Sequence, residues 1–229
     1  MELTSEFRGQ RIHVVCLGFD ETDEDFRKLY RWVRAQKEAK IPEIIEYIRA
    51  KGIDIDMERV IPHALGRPVD RYAVMRYLVT LNLCEGSQPL WEKYLNPAVR
   101  ELGLTARANI EKALPIIHRA GGVTSLAHFH KGIGLKGMTR EEQEKAIVEL
   151  HEMGLDGMEV QYSSYSAEDS AFAARMIEKH HLLATAGTDF HGSNRPGVEL
   201  GTGTNGSVST PLELFTEISR RVVRCLLPR

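Results

Sequence analysis

The strongest constraint on the fold is a repeated alternation of helix and strand between residues 108 and 189. Three amphipathic stretches are each followed by a short, apolar, β-prone run, namely VTSLAH, LDGMEVQY and LLATAGTD. Alternation of this kind is typical of βα units whose strands form a parallel sheet. An earlier run, RIHVVCLGF at residues 11–19, predicts one further buried strand. The sequence therefore predicts an α/β fold.

Residues 22–105, which separate the first strand from the others, have a different pattern. Segments of helical periodicity, interrupted by proline and glycine, fill this region, and none of its segments has a convincing strand pattern. A chain of 229 residues is long enough for one large domain with an insertion. We therefore expect a helical insertion at 22–105 within an α/β domain formed by 1–21 and 106–229.

Composition argues against several classes of function. The formal net charge of −2 argues against broad electrostatic attraction to nucleic acid or to a membrane surface. No apolar run approaches the roughly 18–20 residues that span a bilayer, and the first residues have no signal-peptide pattern. The three cysteines are widely spaced and form no CxxC zinc motif, which indicates reduced thiols. We therefore expect a cytoplasmic protein.

Side chains that can bind metals accompany three of the predicted strands. VTSLAH ends at His128, LLATAGTD ends at Asp189 with His191 just beyond, and the first strand carries His13, with Glu2 upstream. Functional groups gather at the carboxyl ends of parallel strands, and carboxylate with imidazole suits Zn²⁺, Mn²⁺ or Fe²⁺. A strand-end histidine is also often a hydrogen-bonded structural residue, and an aspartate such as Asp189 often caps a turn. Spacing alone leaves both alternatives open.

Three segments carry a resemblance to a known family. AGGVTSLAHFHKG, GLDGMEVQYSSYS and LLATAGTDFHGSNRPGVELGTG resemble, in order and spacing, the second half of PHP-domain proteins (polymerase and histidinol phosphatase). The similarity is greatest to the subgroup of nucleoside 3′,5′-bisphosphate phosphatases and 5′→3′ exoribonucleases, which carry a helical insertion. Upstream, MELTSEFRGQRIHVVCLGFD resembles the family's glutamate strand and the histidine-bearing strand that follows it.

The resemblance implies both a fold and a set of metal ligands. The implied fold is a partial, distorted (β/α)₇ PHP barrel that lacks its first βα units and carries the helical insertion. Carried over position by position, the resemblance makes Glu2, His13, His128, Asp189 and His191 metal ligands. The implied cofactors are divalent cations, with Mn²⁺ favoured and Zn²⁺, Fe²⁺ and Mg²⁺ as alternatives.

The sequence departs from the family before the matched glutamate. The family's initial His-x-His, its first aspartate and a further histidine have no counterpart upstream of Glu2. Two explanations stay open, a truncated or misassigned start and a degenerate member of the family. A site formed by Glu2, His13 and His128 is still expected to bind a metal weakly, whereas full trinuclear chemistry is not expected.

Other side chains are candidates for roles around such a site. Arg67, in the turn GRPVD, is a candidate phosphate contact because its planar guanidinium matches phosphate oxygens; the alternative is a solvated turn residue. Glu159, within the strand GMEV, is an inward-facing carboxylate outside the ligand set. Lys131 and His130 follow His128 closely and are expected to face either the pocket or solvent, with solvent favoured.

Two functions follow from these observations. The first, implied by the resemblance, is a phosphoric-ester hydrolase that cleaves nucleoside 3′,5′-bisphosphates or RNA 5′ ends by attack of a metal-bound hydroxide, provided that the missing N-terminal ligands are supplied. Its partners are a phosphorylated nucleotide or a short RNA, with no membrane, and a homo-oligomer formed through the open barrel edge is a further prediction. The alternative is a truncated, non-catalytic PHP-like structural or binding module.

Overall fold

A computed structural model describes the backbone of residues 1–103 and 107–226 and the side chains as far as residue 222. Residues 104–106 and 227–229, which belong to the ends of the predicted insertion and barrel segments, lie outside the described part. The chain divides into two compact units. The first consists of Met1–Leu29 and Arg107–Arg229, and the second of Tyr30–Ala106.

The first unit contains a six-stranded mixed sheet. Its strands are β1 Glu2–Phe7, β2 Gln10–Leu17, β3 Ala108–Asn109, β4 Val123–Leu126, β5 Gly157–Tyr162 and β6 Leu183–Gly187. Their order across the sheet is β3-β1-β2-β4-β5-β6. Strands β4, β5 and β6 are parallel to one another, as the helix–strand alternation predicts. The predicted α/β class is confirmed.

Strand β2 runs antiparallel to both of its neighbours, β1 and β4. The two-residue turn from β1 into β2 consists of Arg8 and Gly9, with φ of 49° and 76°. Positive φ at both central positions is the geometry of a type I′ turn, whose twist matches that of the flanking strands. The parallel arrangement predicted for the later strands therefore does not extend to the strand that carries His13.

The described residues contain ten helices, and none is long and apolar enough to cross a membrane. They are α1 Glu24–Glu38, α2 Ile41–Arg49, α3 Met57–Val60, α4 Arg71–Thr80, α5 Gln88–Leu90, α6 Asn96–Glu101, α7 Ile110–Arg119, α8 Arg140–Glu152, α9 Ala167–His180 and α10 Leu212–Leu226. A π-helical segment, Trp91–Leu95, connects α5 to α6, and the described residues of the second unit contain no strand.

Two helices that follow strands begin with the same capping motif. The side chains of Thr139 and Ser166 accept hydrogen bonds from the backbone N–H groups of Glu142 and Asp169. The two carboxylates in turn accept hydrogen bonds from the N–H groups of Thr139 and Ser166. Such capping boxes satisfy backbone donors that a helix start leaves unpaired. They set where α8 and α9 begin, and hence the lengths of the loops that follow β4 and β5.

The β1–β2 hairpin has one apolar and one polar face. Its buried face carries Leu3, Phe7, Ile12, Val14 and Cys16. Its opposite, half-exposed face carries Glu2, Thr4, Glu6, Arg11, His13 and Val15. Because side chains alternate between the faces of a strand, burial of the apolar set places the polar set together on the other side.

The second unit has an apolar core of its own. Isoleucines 41, 44, 45 and 48 of α2 are all buried, and they pack with buried side chains of α4 and of the segment from α5 to α6. The spacing of the four isoleucines places them along one face of α2. Residues 42–43 and 46, on the opposite face, are exposed.

A half-buried carboxylate connects three elements of the first unit. Asp156, just before β5, accepts hydrogen bonds through Oδ2 from His118 Nε2 of α7 at 2.9 Å and from Thr124 of β4, at 2.8 Å from the backbone N–H and 2.9 Å from Oγ1. Burial raises the pKa of the Asp156 carboxyl, but the hydrogen bonds from His118 and Thr124 outweigh burial and hold the pKa below its ordinary value.

We expect Asp156→Asn to destabilise the protein by about 1–3 kcal/mol near neutral pH, because an amide cannot accept all of these bonds through one oxygen as a carboxylate does. A carboxylate with a lowered folded-state pKa contributes stability above its ordinary pKa, and this contribution is lost as the pH falls through the folded-state value. The difference from wild type should therefore narrow in acid. Urea unfolding at neutral and acid pH measures it, with the exposed Glu178→Gln as control. A constant difference across that range would contradict the account.

Candidate metal centre

Side chains from β1, β2 and the loop after β4 converge on one point. His13 Nδ1 lies 2.8 Å from Glu2 Oε1, and His128 Nε2 lies 3.2 Å from the same oxygen. The two ring nitrogens are 3.2 Å apart. Among the described residues, this triad is the one group of three or more metal-capable side chains whose ligand atoms all lie within 4.8 Å of one another.

The register of the hairpin explains two members of the triad. Glu2 lies opposite Val15, and Thr4 lies opposite His13. Glu2 and His13 are therefore diagonal neighbours on the polar face, a separation that long side chains bridge. Neither residue stands at the carboxyl end of a parallel strand. Antiparallel cross-strand pairing, and not the convergence rule for parallel strands, brings them together.

The third member, His128, is positioned by its backbone. The N–H of Ala127 donates to the carbonyl of His13 at 2.9 Å, which places His128 next to the hairpin. His128 has φ of 28°, outside the regions that residues other than glycine prefer. Its N–H donates to Glu159 Oε2 at 2.6 Å. Strained backbone of this kind persists where surrounding contacts determine it, and the Glu159 carboxylate supplies one such contact.

The two carboxyl groups near His128 have different electrostatic environments. Burial raises the pKa of Glu159 to about 7, although the His128 N–H hydrogen bond opposes this shift. Burial also raises the pKa of Glu2, but hydrogen bonds and charges from His128 and His13 outweigh it and hold that pKa below its ordinary value. Glu2 is thus a carboxylate that shares the triad with two imidazoles, whereas Glu159 orients the backbone of His128.

The donor set and spacing of the triad fit one divalent cation. One carboxylate oxygen and two imidazole nitrogens are the donors of many Zn²⁺, Mn²⁺ and Fe²⁺ sites. Bonds of about 2.0–2.2 Å in tetrahedral geometry place ligand atoms roughly 3.3–3.6 Å apart. The observed 2.8–3.2 Å requires outward shifts of only a few tenths of an ångström. His128 Nδ1, buried and without a hydrogen-bond partner among the described residues, leaves Nε2 as the ring nitrogen that faces the site.

Asp189 and His191, the other two predicted ligands, lie outside the triad, and their role as metal ligands stays a prediction. Asp189 Oδ2 accepts hydrogen bonds from Tyr162 OH at 2.8 Å, from Lys131 Nζ at 3.3 Å and from Arg195 Nη1. His191 Nδ1 donates to the Asp189 carbonyl at 2.8 Å. Burial raises the pKa of Asp189, but the Tyr162 hydrogen bond and the charges of Lys131 and Arg195 hold it below its ordinary value.

Sequence reasoning missed part of this second group. Lys131, expected to face solvent, instead hydrogen-bonds Tyr162 and forms an ion pair with Asp189. His130 is also half-buried, with its ring 4.9 Å from that of Tyr165. The loop after β4 folds back, since the N–H of residue 135 donates to the carbonyl of residue 129 at 2.6 Å, and this fold turns both side chains inward.

Arg195 received no role from the sequence, although GSNRPG directly follows the Asp-x-His motif. Its Nη1 also donates to the Asp189 carbonyl at 3.2 Å. The ring of His128 packs against that of Tyr162 with 5.5 Å between centroids, so the second group adjoins the triad. Arg67 belongs to the other unit, on an exposed turn, and a role at the site stays a prediction.

The chain is similar to several curated bacterial proteins. It is 28% identical to the 5′-3′ exoribonuclease of Haemophilus influenzae, over 83% of this chain and 68% of that protein. It is 27% identical to the 5′-3′ exoribonuclease Rnm of Escherichia coli, over 88% and 67%. It is 24% identical to the 3′,5′-nucleoside bisphosphate phosphatase of Chromobacterium violaceum, over 88% and 70%. No family model matches the chain.

Solved structures share the fold. A protein of Bifidobacterium adolescentis, designated a metal-dependent phosphoesterase, superimposes with a TM-score of 0.80 at 19% identity, over 96% of this chain and 74% of that one. An amidohydrolase of Chromobacterium violaceum with bound sulfate gives 0.76 at 23% identity, over 96% and 75%. These structures show the shared fold, and the curated relatives confirm the resemblance to the subgroup of exoribonucleases and bisphosphate phosphatases found in the sequence.

We expect one Mn²⁺ ion to bind at the triad. His13→Ala and His128→Ala should each weaken binding by at least about 100-fold, because loss of a direct ligand costs more than the roughly 10–100-fold typical of groups that support ligands. Calorimetric titration measures the affinity, and His63→Ala, in the second unit, is the matched control. Unchanged affinity in the His128 variant would place the metal elsewhere.

Proposed function

We propose that this chain is a metal-dependent phosphoesterase that hydrolyses phosphate esters of nucleotides, with nucleoside 3′,5′-bisphosphates or RNA 5′ ends as substrates. The observation that carries the proposal is the adjacency of a metal-capable triad, Glu2, His13 and His128, to two cations, Lys131 and Arg195. Hydrolysis of a phosphate ester uses both features, because a Lewis acid polarises the phosphate oxygens and positive charge stabilises the transition state. The names of the curated relatives support the same reading.

The triad would hold the divalent cation through one carboxylate oxygen and two imidazole nitrogens. When bound, the metal supplies Lewis acidity toward phosphate oxygens and lowers the pKa of a bound water. Imidazole donors disfavour Mg²⁺, which prefers oxygen ligands, and the mixed carboxylate and imidazole set suits Zn²⁺, Fe²⁺ or Mn²⁺. We infer Mn²⁺ as the working ion because the resemblance to the PHP-domain family favours it, with the others as alternatives.

The residues around Asp189 would bind the phosphate. Lys131 and Arg195 together carry two positive charges against the single negative charge of Asp189, so the group retains a net charge of about +1 for an anion. Arg195 offers a planar fork suited to phosphate oxygens, and Lys131 a compact charge. Asp189 and Tyr162 hold the two cations in place. The ester is thereby oriented toward the triad.

The proposal also covers how the two units correspond to a PHP-domain fold. We infer that the six-stranded sheet corresponds to part of a distorted PHP barrel, with 22–105 as its helical insertion and 1–21 and 106–229 as the barrel portion. High structural similarity to a metal-dependent phosphoesterase and to an amidohydrolase supports this assignment. Self-association through the outer strands β3 and β6 stays a prediction.

The alternative function, a non-catalytic binding module, has one observation in its favour. Asp189 is hydrogen-bonded by two cations and is not grouped with the triad. The two cations of this site can bind a phosphorylated nucleotide whether or not the protein hydrolyses that nucleotide. Turnover therefore decides between the two functions.

We expect hydrolysis of adenosine 3′,5′-bisphosphate in the presence of Mn²⁺. Glu2→Gln should lower turnover by at least about 100-fold, because an amide is a weaker and neutral ligand. Arg195→Gln should raise KM by about tenfold or more through the loss of a charged hydrogen bond. Phosphate release measures both effects, and His63→Ala should leave them unchanged. Binding without hydrolysis by the wild type would favour the non-catalytic module.

Arg67→Gln tests the remaining substrate contact inferred from the sequence. If Arg67 contacts the phosphorylated substrate, the variant should raise KM for adenosine 3′,5′-bisphosphate several-fold with kcat unchanged, since only binding would be affected. Arg100→Gln, an exposed arginine of the same unit, is the control. An unchanged KM would assign Arg67 to the solvated turn.

A further inference from the structure

A second pair of cations lies on the same sheet face as the triad. Arg11 is two residues before His13 in β2 and shares its face, and it lies directly opposite Glu6 of β1. Arg107, immediately before β3, donates from Nη1 to Glu6 Oε2 at 3.0 Å. One carboxylate thus stands between two guanidinium groups.

The Arg11 guanidinium is not neutralised by its surroundings. Within residues 1–103 and 107–222, it makes no hydrogen bond or ion pair, although it is half-buried. Two arginines and one glutamate give this group a net positive charge, which favours an anion. Glu6 neutralises only one of the two positive charges, and the N–H donors of Arg11 stay available to a ligand.

The position of this pair relative to the triad indicates what anion would bind. Arg11 and His13 are two positions apart in β2, which corresponds to about 7 Å along the strand. The pair lies on the β3-β1-β2 side of the triad, whereas Lys131 and Arg195 follow β4 and β6 on the other side. Positive groups therefore flank the triad in both directions along the sheet.

We propose that Arg11 and Arg107 bind a second, uncleaved phosphate of the substrate. The inference rests on the proposed function, and it selects substrates that carry two phosphates on one ribose, as nucleoside 3′,5′-bisphosphates and RNA 5′ ends do. A nucleotide with a single phosphate can occupy only one of the two cationic groups at a time. The second phosphate thereby fixes which ester faces the triad.

The test compares the binding of one nucleotide with two phosphates to that of nucleotides with one. Adenosine 3′,5′-bisphosphate and the adenosine 3′- and 5′-monophosphates are titrated into the wild type, Arg11→Gln and Arg107→Gln in Mn²⁺. The control is Arg8→Gln, which removes the same charge from the same hairpin but from a residue paired with Glu149. Thermal unfolding confirms that each variant is folded.

We expect the wild type to bind the bisphosphate at least about tenfold more tightly than either monophosphate, and each of the Arg11 and Arg107 variants to lose most of that advantage. The affinity of the Arg11 and Arg107 variants for either monophosphate should match that of the wild type. The Arg8 variant should bind all three nucleotides as the wild type does. A bisphosphate advantage that survives both substitutions, or that is absent from the wild type, overturns the inference. Binding that depends on Arg11 without any hydrolysis would support the second phosphate site and reject only the proposed enzymatic function.

Discussion

The pairing of β2 with β1 on one side and β4 on the other is the constraint on which the candidate site depends. It brings one ring nitrogen of His13 and one of His128 to Oε1 of Glu2, although 126 positions separate Glu2 from His128. The register of this pairing is held by the buried face of the hairpin. A slip of one residue would expose Leu3 and Ile12 and would bury Glu2 and His13, at a large cost in apolar burial.

Electrostatics organises the polar side of the sheet around the triad. Histidines hold Glu2 in its ionised form, which favours cation binding. Asp189 is hydrogen-bonded by Lys131 and Arg195, and Glu6 lies between Arg107 and Arg11. Each of these two groups places two positive charges around one carboxylate. The resulting distribution, a metal-capable centre with cations on both sides, suits a ligand with more than one phosphate better than a neutral or cationic one.

Much of the fold could be predicted because its signals are local. Periodicity located α7, α8 and α9, and apolar runs located β4, β5 and β6, since burial of one helix face or of a whole strand leaves its period in the sequence. The direction of β2 could not be predicted in this way. The run HVVCL is almost continuously apolar, as in a parallel strand, although β2 is buried on one face only, so its antiparallel pairing depended on contacts made elsewhere.

The sequence by itself determined the α/β class and the helical character of the region after β2, because these depend on periodicity within single segments. Its resemblance to PHP-domain proteins supplied the candidate metal ligands. Only the tertiary structure decided which of those residues meet. It grouped Glu2 with His13 and His128, and it surrounded Asp189 with Lys131, Tyr162 and Arg195. The physical reason is that side-chain contacts across strands follow from register and from loop conformation, and both are set by burial summed over the whole unit.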